Sequence, residues 1–240
     1  MDKILIVKNV PREGAGLIEE VLREEAVAFD IIDLDEGAVW PDVTRYRALI
    51  VLGGPDSAND DTPKMTQELQ HVRTALDAKI PYLGICLGLQ VLVKAGGGGV
   101  VKSPLKEVGF RDPENHVFDV ALSDEGREDP LFRDIQSPFH VFQLHGETVE
   151  PTALMVVLGV GRYCRNQVVR VAPNAYGVQF HNELTPEMFE AWCTEDEDLR
   201  RLDREQLRTE YSALKDDLEK TGKQLIRNFL RLTTGSSGRL

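Results

Sequence analysis

The sequence predicts an α/β protein with one domain. A central, mostly parallel sheet is flanked by helices, continued by an antiparallel extension and closed by a long C-terminal helix. Three observations predict it. The first half alternates short apolar runs with amphipathic stretches of helical spacing, the pattern of parallel strands joined by helices. Past Gly96-Gly97-Gly98-Gly99 the runs are short and separated by turn residues alone, as antiparallel strands are. Near the C-terminus, leucines and aromatics recur every three or four residues, which is a helix stripe.

Taken in order, Lys3 to Val7 is apolar and β-rich, and Gly14 to Glu25 carries Leu17, Ile18, Val21 and Leu22 on one helical face. Phe29–Leu34 and Ala48–Leu52 are the next strands, the latter ended by Gly53-Gly54-Pro55. Lys64 to Lys79 places Leu69, Val72 and Leu76 at helical spacing, Ile80–Ile85 is a fourth apolar run, and Leu87–Ala95 is the helix after it. Short β-like runs follow at Val108–Phe110, Val117–Leu122, Phe139–Leu144, Met155–Leu158, Val168–Val171 and Tyr176–Phe180. Leu207, Tyr211, Leu214 and Leu218, continued by Leu225, Ile226, Phe229 and Leu230, form a stripe expected to pack on the domain. The domain is expected over 1–232, including a helical stretch 186–232, with the Gly/Ser-rich tail 233–240 disordered.

Composition narrows the function. A formal net charge of −12 lacks the basic footprint of a nucleic-acid binder and would be repelled by anionic membrane surfaces. No apolar run approaches the roughly 20 residues of a membrane span, and the N-terminus reads as a buried strand rather than a leader. The 3 cysteines, Cys86, Cys164 and Cys193, form no CxxC pair. That argues against a disulfide framework or a zinc site and for a reducing cytoplasm. No motif calls for a cofactor.

The chemistry centres on Pro81-Tyr82-Leu83-Gly84-Ile85-Cys86-Leu87-Gly88-Leu89-Gln90. A strand runs into Gly-x-Cys-x-Gly and a helix follows, the pattern of a nucleophile elbow. Gly84 and Gly88 leave room where side chains would collide. The thiol sits at a helix N-terminus, where the macrodipole favours thiolate, and the Leu87 amide is half of an oxyanion hole. Read alone, Cys86 fits a buried core cysteine equally well. The second half of the argument is Tyr176-Gly177-Val178-Gln179-Phe180-His181-Asn182-Glu183. A β-like run ends at His181, and Glu183 two residues on points to the same side in extended chain. It is placed to orient the imidazole towards Cys86. The other histidines read differently: His71 and His116 as surface residues, and His145 as a residue that shapes a pocket. Glu107 reads as an exposed acid, and Cys164 and Cys193 as incidental.

Four ordered blocks, Leu52-Gly53-Gly54-Pro55-Asp56-Ser57, Gly84 to Gln90, Gln143-Leu144-His145-Gly146-Glu147-Thr148 and Gln179 to Glu183, resemble the class I (triad) glutamine amidotransferases, the domain family found in GMP synthase. The closest likeness is to stand-alone, GMP-synthase-like proteins. The resemblance covers roughly residues 3 to 190 and implies a flavodoxin-like fold. It makes Cys86 the nucleophile, His181 the base and Glu183 its orienter. Gly54 and Leu87 become oxyanion-hole residues, with Gly53, Gln90, Leu144, His145 and Gly146 against the substrate and no metal. Asn182 stands where the family usually has proline. The resemblance implies cleavage of the glutamine side-chain amide through a γ-glutamyl thioester, with ammonia passed to a separate synthetase subunit, because no acceptor domain fits beside this one. A γ-glutamyl hydrolase or peptidase acting on a γ-glutamyl small molecule, and a non-catalytic regulatory protein on the same fold, are the alternatives.

Overall fold

The structure is a computed structural model that describes residues 2–234. Strand β1 (Ile4–Lys8) pairs in parallel with β2 (Phe29–Asp33) on one side and β3 (Ala48–Val51) on the other. β3 pairs with β4 (Tyr82–Ile85), and β4 with β11 (Ala175–Val178), again in parallel. Ile4, Leu5, Ile6 and Val7 are fully buried, because helices cover both faces of a parallel sheet and leave no polar side. Helices α2 (Pro63–Asp77) and α3 (Leu87–Ala95) lie on one face. On the other, α1 (Leu17–Glu24) and α6 (Arg204–Thr234) cover the core. At the start of α2, Thr62 accepts from the Met65 amide and Pro63 takes the first helical position, both standard start signals.

Beyond β11 the sheet turns antiparallel through β10 (Val168–Ala172), β9 (Val156–Val160), β6 (Asp119–Leu122) and β7 (Phe139–His140), with the short helix α4 (Asp124–Glu128) following β6. The nine strands run 2-1-3-4-11-10-9-6-7, which is the predicted architecture. Two elements differ from expectation. Phe139–Leu144 is broken after His140, and the chain leaves the sheet to enter β8 (Gln143–Glu150). The cause is Phe142, whose fully buried ring packs against Phe110, Phe189 and Trp192 in a separate cluster. β8 pairs with β5 (Gly99–Gly109), forming a two-stranded ribbon outside the main sheet. The sequence shows only the apolar end of β5, because Lys102, Pro104 and Lys106 hold its middle; Pro104 sits where the register slips between Lys102 and Glu107, a place that tolerates a missing donor.

The C-terminal stretch is two helices, α5 (Pro186–Glu195) and α6. Between them the acidic run turns the chain, Asp196 Oδ1 accepting from the Asp198 and Leu199 amides. α6 continues through Thr233 and Thr234, two residues into the predicted tail; residues 235–240 of that tail lie outside the described residues. Leu207, Tyr211 and Leu218 join the cluster around Phe142, and Leu225, Ile226, Phe229 and Leu230 join the main core. The stripe is therefore packed on the domain along its length.

Where α6 crosses the segment after β11, Gly222 faces the Asn182 carbonyl, and a Cβ there would lie 1.9 Å from that oxygen. The same segment is held from α1: the Leu17 amide donates to the Glu183 carbonyl at 2.9 Å, and Gly16, at φ +46, would meet that carbonyl at 2.1 Å if it bore a Cβ. Another polar tie joins the ends of β1 and β3. Asn9 Nδ2 donates to the Leu52 carbonyl at 3.2 Å and to Glu68 Oε1 at 3.1 Å. Glu68 is fully buried, and burial pushes its carboxyl up to about 7.

Two outcomes follow. Gly222→Ala should gain about 1 kcal/mol in helix propensity, yet the backbone contact makes overpacking the larger effect, costing about 1–3 kcal/mol; urea unfolding should therefore show net destabilisation. Glu68 favours the neutral form in the fold, so it costs stability increasingly as pH rises from its ordinary 4.5 through about 7. Glu68→Gln should stabilise by about 3 kcal/mol at pH 8.5 and change little at pH 4.5, measured by denaturant unfolding at each pH.

Candidate active site

Cys86 joins β4 to α3 at φ 51 and ψ −104, a left-handed conformation that costs a non-glycine residue of order 1–3 kcal/mol and persists only where surroundings enforce it. The enforcement is visible. The Cys86 amide donates to the Val178 carbonyl at 2.8 Å. A Cβ on Gly84 would stand 2.3 Å from the Gly88 carbonyl oxygen, and one on Gly88 would stand 2.1 Å from that of Val51. Only glycines let the turn close this tightly against the sheet. Cys86 is 6% exposed, and that exposed part opens on a cavity of about 280 Å³.

His181 and Glu183 follow β11, the strand beside β4. His181 Nδ1 and Glu183 Oε1 are 2.7 Å apart. With the carboxylate accepting, Nδ1 carries the proton and Nε2 is left for another partner. Nε2 is buried with no hydrogen-bond partner, and the Cys86 sulfur is near enough to act on the ring's charge. Burial pulls the His181 imidazolium down, but the Glu183 carboxylate and the Cys86 sulfur outweigh it, so its pKa lies well above the ordinary value. The ring is held in place: the His181 amide donates to the Phe142 carbonyl at 2.9 Å, and the ring meets Trp192 edge-on at 4.9 Å between centroids. Around the sulfur, Gln179 Nε2 lies 3.6 Å away and the Leu144 carbonyl 3.7 Å away. A cysteine facing an imidazole that a carboxylate holds is the arrangement of a thiolate nucleophile with its base.

The remaining predicted residues divide between the cavity wall and the layer behind it. Gly54, Gln90, Leu144, His145 and Gly146 line the cavity with Cys86. Gly53, Leu87, His181 and Glu183 stand behind that wall. Leu87 is the first residue of α3, where an amide has no intrahelical acceptor. A Cβ on Gly54 would touch the Leu87 side chain at 3.3 Å, so the two residues assigned to an oxyanion hole adjoin. Gln90 Nε2 donates weakly to the Glu147 carbonyl at 3.4 Å.

The sequence reading missed part of the wall. Arg12, Glu13, Lys106, Glu147, Asp196 and Asp198 also line the cavity. Glu147 lies in the Gln143–Thr148 block, although the resemblance gives it no role there; the other five come from three further segments and belong to no recognisable pattern. Glu107 is also not the exposed acid expected: it is 1% exposed. Its Oε2 receives His145 Nε2 at 2.8 Å and Gln167 Nε2 at 2.9 Å, and its Oε1 receives the Cys164 amide at 3.3 Å. The signal that could have found it is the alternation of β5, which exposes Lys102, Pro104 and Lys106 and turns the residues between them, then Glu107 and Gly109, inward.

Glu107, His145 and Cys164 place three donor types within 4.8 Å of one another, as a metal site or a second triad would. Their bonding argues for a structural brace. His145 Nδ1 is engaged by the Glu147 carbonyl at 3.0 Å and Cys164 Sγ by Thr148 Oγ1 at 3.1 Å. Burial pushes the Cys164 thiol up to about 11, which withholds the thiolate that a nucleophile needs. The brace ties β8, and with it the Leu144–Gly146 wall, to the sheet.

Comparison with known proteins points to one family. The glutamine amidotransferase-like protein YfeJ of Salmonella typhimurium is 31% identical over 158 residues, 64% of this chain and 63% of that protein. The glutamine-hydrolyzing GMP synthase of Thermosipho melanesiensis is 31% identical over 195 residues, 78% of this chain but 34% of the enzyme. The chain thus spans about a third of the GMP synthases it matches and just under two thirds of YfeJ. The crystal structure of a glutamine amidotransferase from Thermotoga maritima superposes with a TM-score of 0.82 at 25% identity, covering 96% of this chain and 97% of that one. The class-I glutamine amidotransferase family model matches residues 16–197, a span that begins beside the glycine clasp on Glu183 and ends past Trp192; the chain belongs to the class-I glutamine amidotransferase family.

Proposed function

We propose that this chain hydrolyses the side-chain amide of glutamine with a Cys86–His181–Glu183 triad and releases ammonia for a separate acceptor enzyme. The observation that carries the reading is the imidazole bonded to Glu183 on one nitrogen and turned to Cys86 with the other, behind a cavity onto which the sulfur opens. In this reading the Cys86 thiolate attacks the amide carbonyl carbon, forming the C–S bond. The oxyanion is received by the amides of Gly54 and Leu87, each worth on the order of 3 kcal/mol to the transition state. His181 gives its proton to the departing nitrogen, the C–N bond breaks, and ammonia leaves. His181 then takes a proton from water, which attacks the γ-glutamyl thioester; glutamate leaves and the thiol returns. Covalent catalysis replaces one hard cleavage with two easier ones. Gln90 and the Leu144–Gly146 backbone supply polar contacts for the amino-acid end of the substrate.

The partner reading rests on the relatives. The curated relatives include glutamine-hydrolyzing GMP synthases, of whose length this chain matches about a third; in this reading the ammonia passes to a separate synthetase. All three cysteines are free, which suits a reducing cytoplasm. Among the described residues no helix is long and apolar enough to cross a membrane.

A coupled assay of ammonia release from glutamine tests the reading. Turnover, or mechanism-based labelling of Cys86 by a glutamine-analogue diazo-ketone, supports it. Cys86→Ser should lower turnover by a factor on the order of 10⁴ or more, in line with loss of a triad nucleophile. Amine release from γ-glutamyl amides with glutamine untouched would transfer the same triad to a γ-glutamyl hydrolase. Full activity in Cys86→Ser would overturn both.

A further inference from the structure

We propose that Glu13 is a positioning residue for His181, a second carboxylate set against the imidazole that keeps it charged. The placement is geometric. Glu13 lies in the loop between β1 and α1, is 5% exposed, lines the cavity, and its Oε2 is buried with no partner. Gly53 marks where it points: a Cβ built on Gly53 would lie 2.2 Å from Glu13 Oε2, 3.0 Å from His181 Cε1 and 3.4 Å from Cys86 Cβ. Three side chains converge on the space that the glycine leaves open. Glu13 Oε2 is thereby within about 5 Å of the imidazole, a range over which charges shift one another's titration.

The loop is fixed rather than adventitious. Trp192, which packs at right angles to the His181 ring, donates its indole N–H to the Arg12 carbonyl at 2.8 Å. Arg12 is shared between two acids: its Nη2 lies 3.1 Å from Asp196 Oδ2 and 3.9 Å from Glu13 Oε1, and Glu13 Oε2 is left without a partner. The charged groups facing Glu13 are thus Arg12 on its own loop, His181 and Glu183 after β11, and Asp196 after α5. Burial raises the Glu13 carboxyl, Glu183 and Asp196 raise it further, and His181 and Arg12 draw it down. The coupling is reciprocal: an ionised Glu13 stabilises the imidazolium, and the imidazolium stabilises the Glu13 carboxylate. A buried carboxylate costs stability unless it has such a partner. The site therefore sets two carboxylates on one imidazole, Glu183 orienting it through Nδ1 and Glu13 holding its charge.

This inference rests on the triad reading, and alkylation separates the two. Iodoacetate is an anion whose attack by Cys86 is favoured while His181 is protonated, so its rate falls on the alkaline side as the imidazolium is lost. The rate of carboxymethylation of the Cys86 peptide is measured against pH by mass spectrometry in the wild type, Glu13→Gln, Glu13→Asp and His181→Ala. The wild type should show an alkaline fall that His181→Ala lacks. Glu13→Gln should move that fall down by about one unit or more, and Glu13→Asp should lie between. Coincident wild-type and His181→Ala profiles would sink the triad. An alkaline fall lost in His181→Ala but unmoved in Glu13→Gln would sink the role of Glu13 alone, as would a raised KM for glutamine with the alkylation profile unchanged. Should Glu13→Gln fail to fold, a Glu13→Asp profile coincident with the wild type overturns the inference.

Discussion

The 2.7 Å hydrogen bond between His181 Nδ1 and Glu183 Oε1 is the interaction on which the rest of the site depends. Its two side chains are 1% and 5% exposed, so neither charge has water to fall back on. Desolvation alone would empty the imidazole of its second proton; the carboxylate beside it reverses that sign. A ring that stays protonated within reach of a thiol favours the thiolate, and a ring with Nδ1 occupied can address sulfur only through Nε2. One bond therefore sets the charge, the tautomer and the direction of the imidazole.

Much of the fold serves to hold that bond in a segment with no secondary structure of its own. The residues after β11 are clasped between the start of α1 and the middle of α6, with glycine at both contacts. The sequence marks Gly16 and Gly222 as unremarkable, one before a helix and one inside it. Both are sites where a backbone oxygen of the His181–Glu183 segment comes nearer than any side chain allows. The long C-terminal helix therefore acts as a wall for the His181–Glu183 segment as well as a cover for the sheet. Asn182 finds its place in the same clasp: its carbonyl meets Gly222, and its side chain donates to the His140 carbonyl at 3.1 Å, a tie that proline could not make.

Two histidine–glutamate pairs lie within this small volume and differ in what surrounds them. His145 has both ring nitrogens engaged, and Glu107 is bonded by three donors; that pair is closed and braces β8. His181 keeps Nε2 for Cys86, and Glu13 keeps an unpartnered oxygen next to the same imidazole. Open valences, rather than residue type, separate the site that can do chemistry from the one that holds a wall.

The sequence by itself determined the strand–helix alternation, the elbow at Cys86 and the pairing of His181 with Glu183, because each is written in contiguous residues: an apolar period, two glycines around a cysteine, and a two-residue spacing. It could not show that Phe139–Leu144 divides, since what divides it is the pull of Phe142 into a cluster with Trp192, fifty residues away. Nor could it show that Glu107 is buried or that Glu13 reaches His181, because burial and charge coupling are properties of neighbours in space. The tertiary structure alone decided which acids face water, which brace a strand and which share a proton with the imidazole, for an ionisable group takes its energy from the dielectric and the charges that folding brings around it.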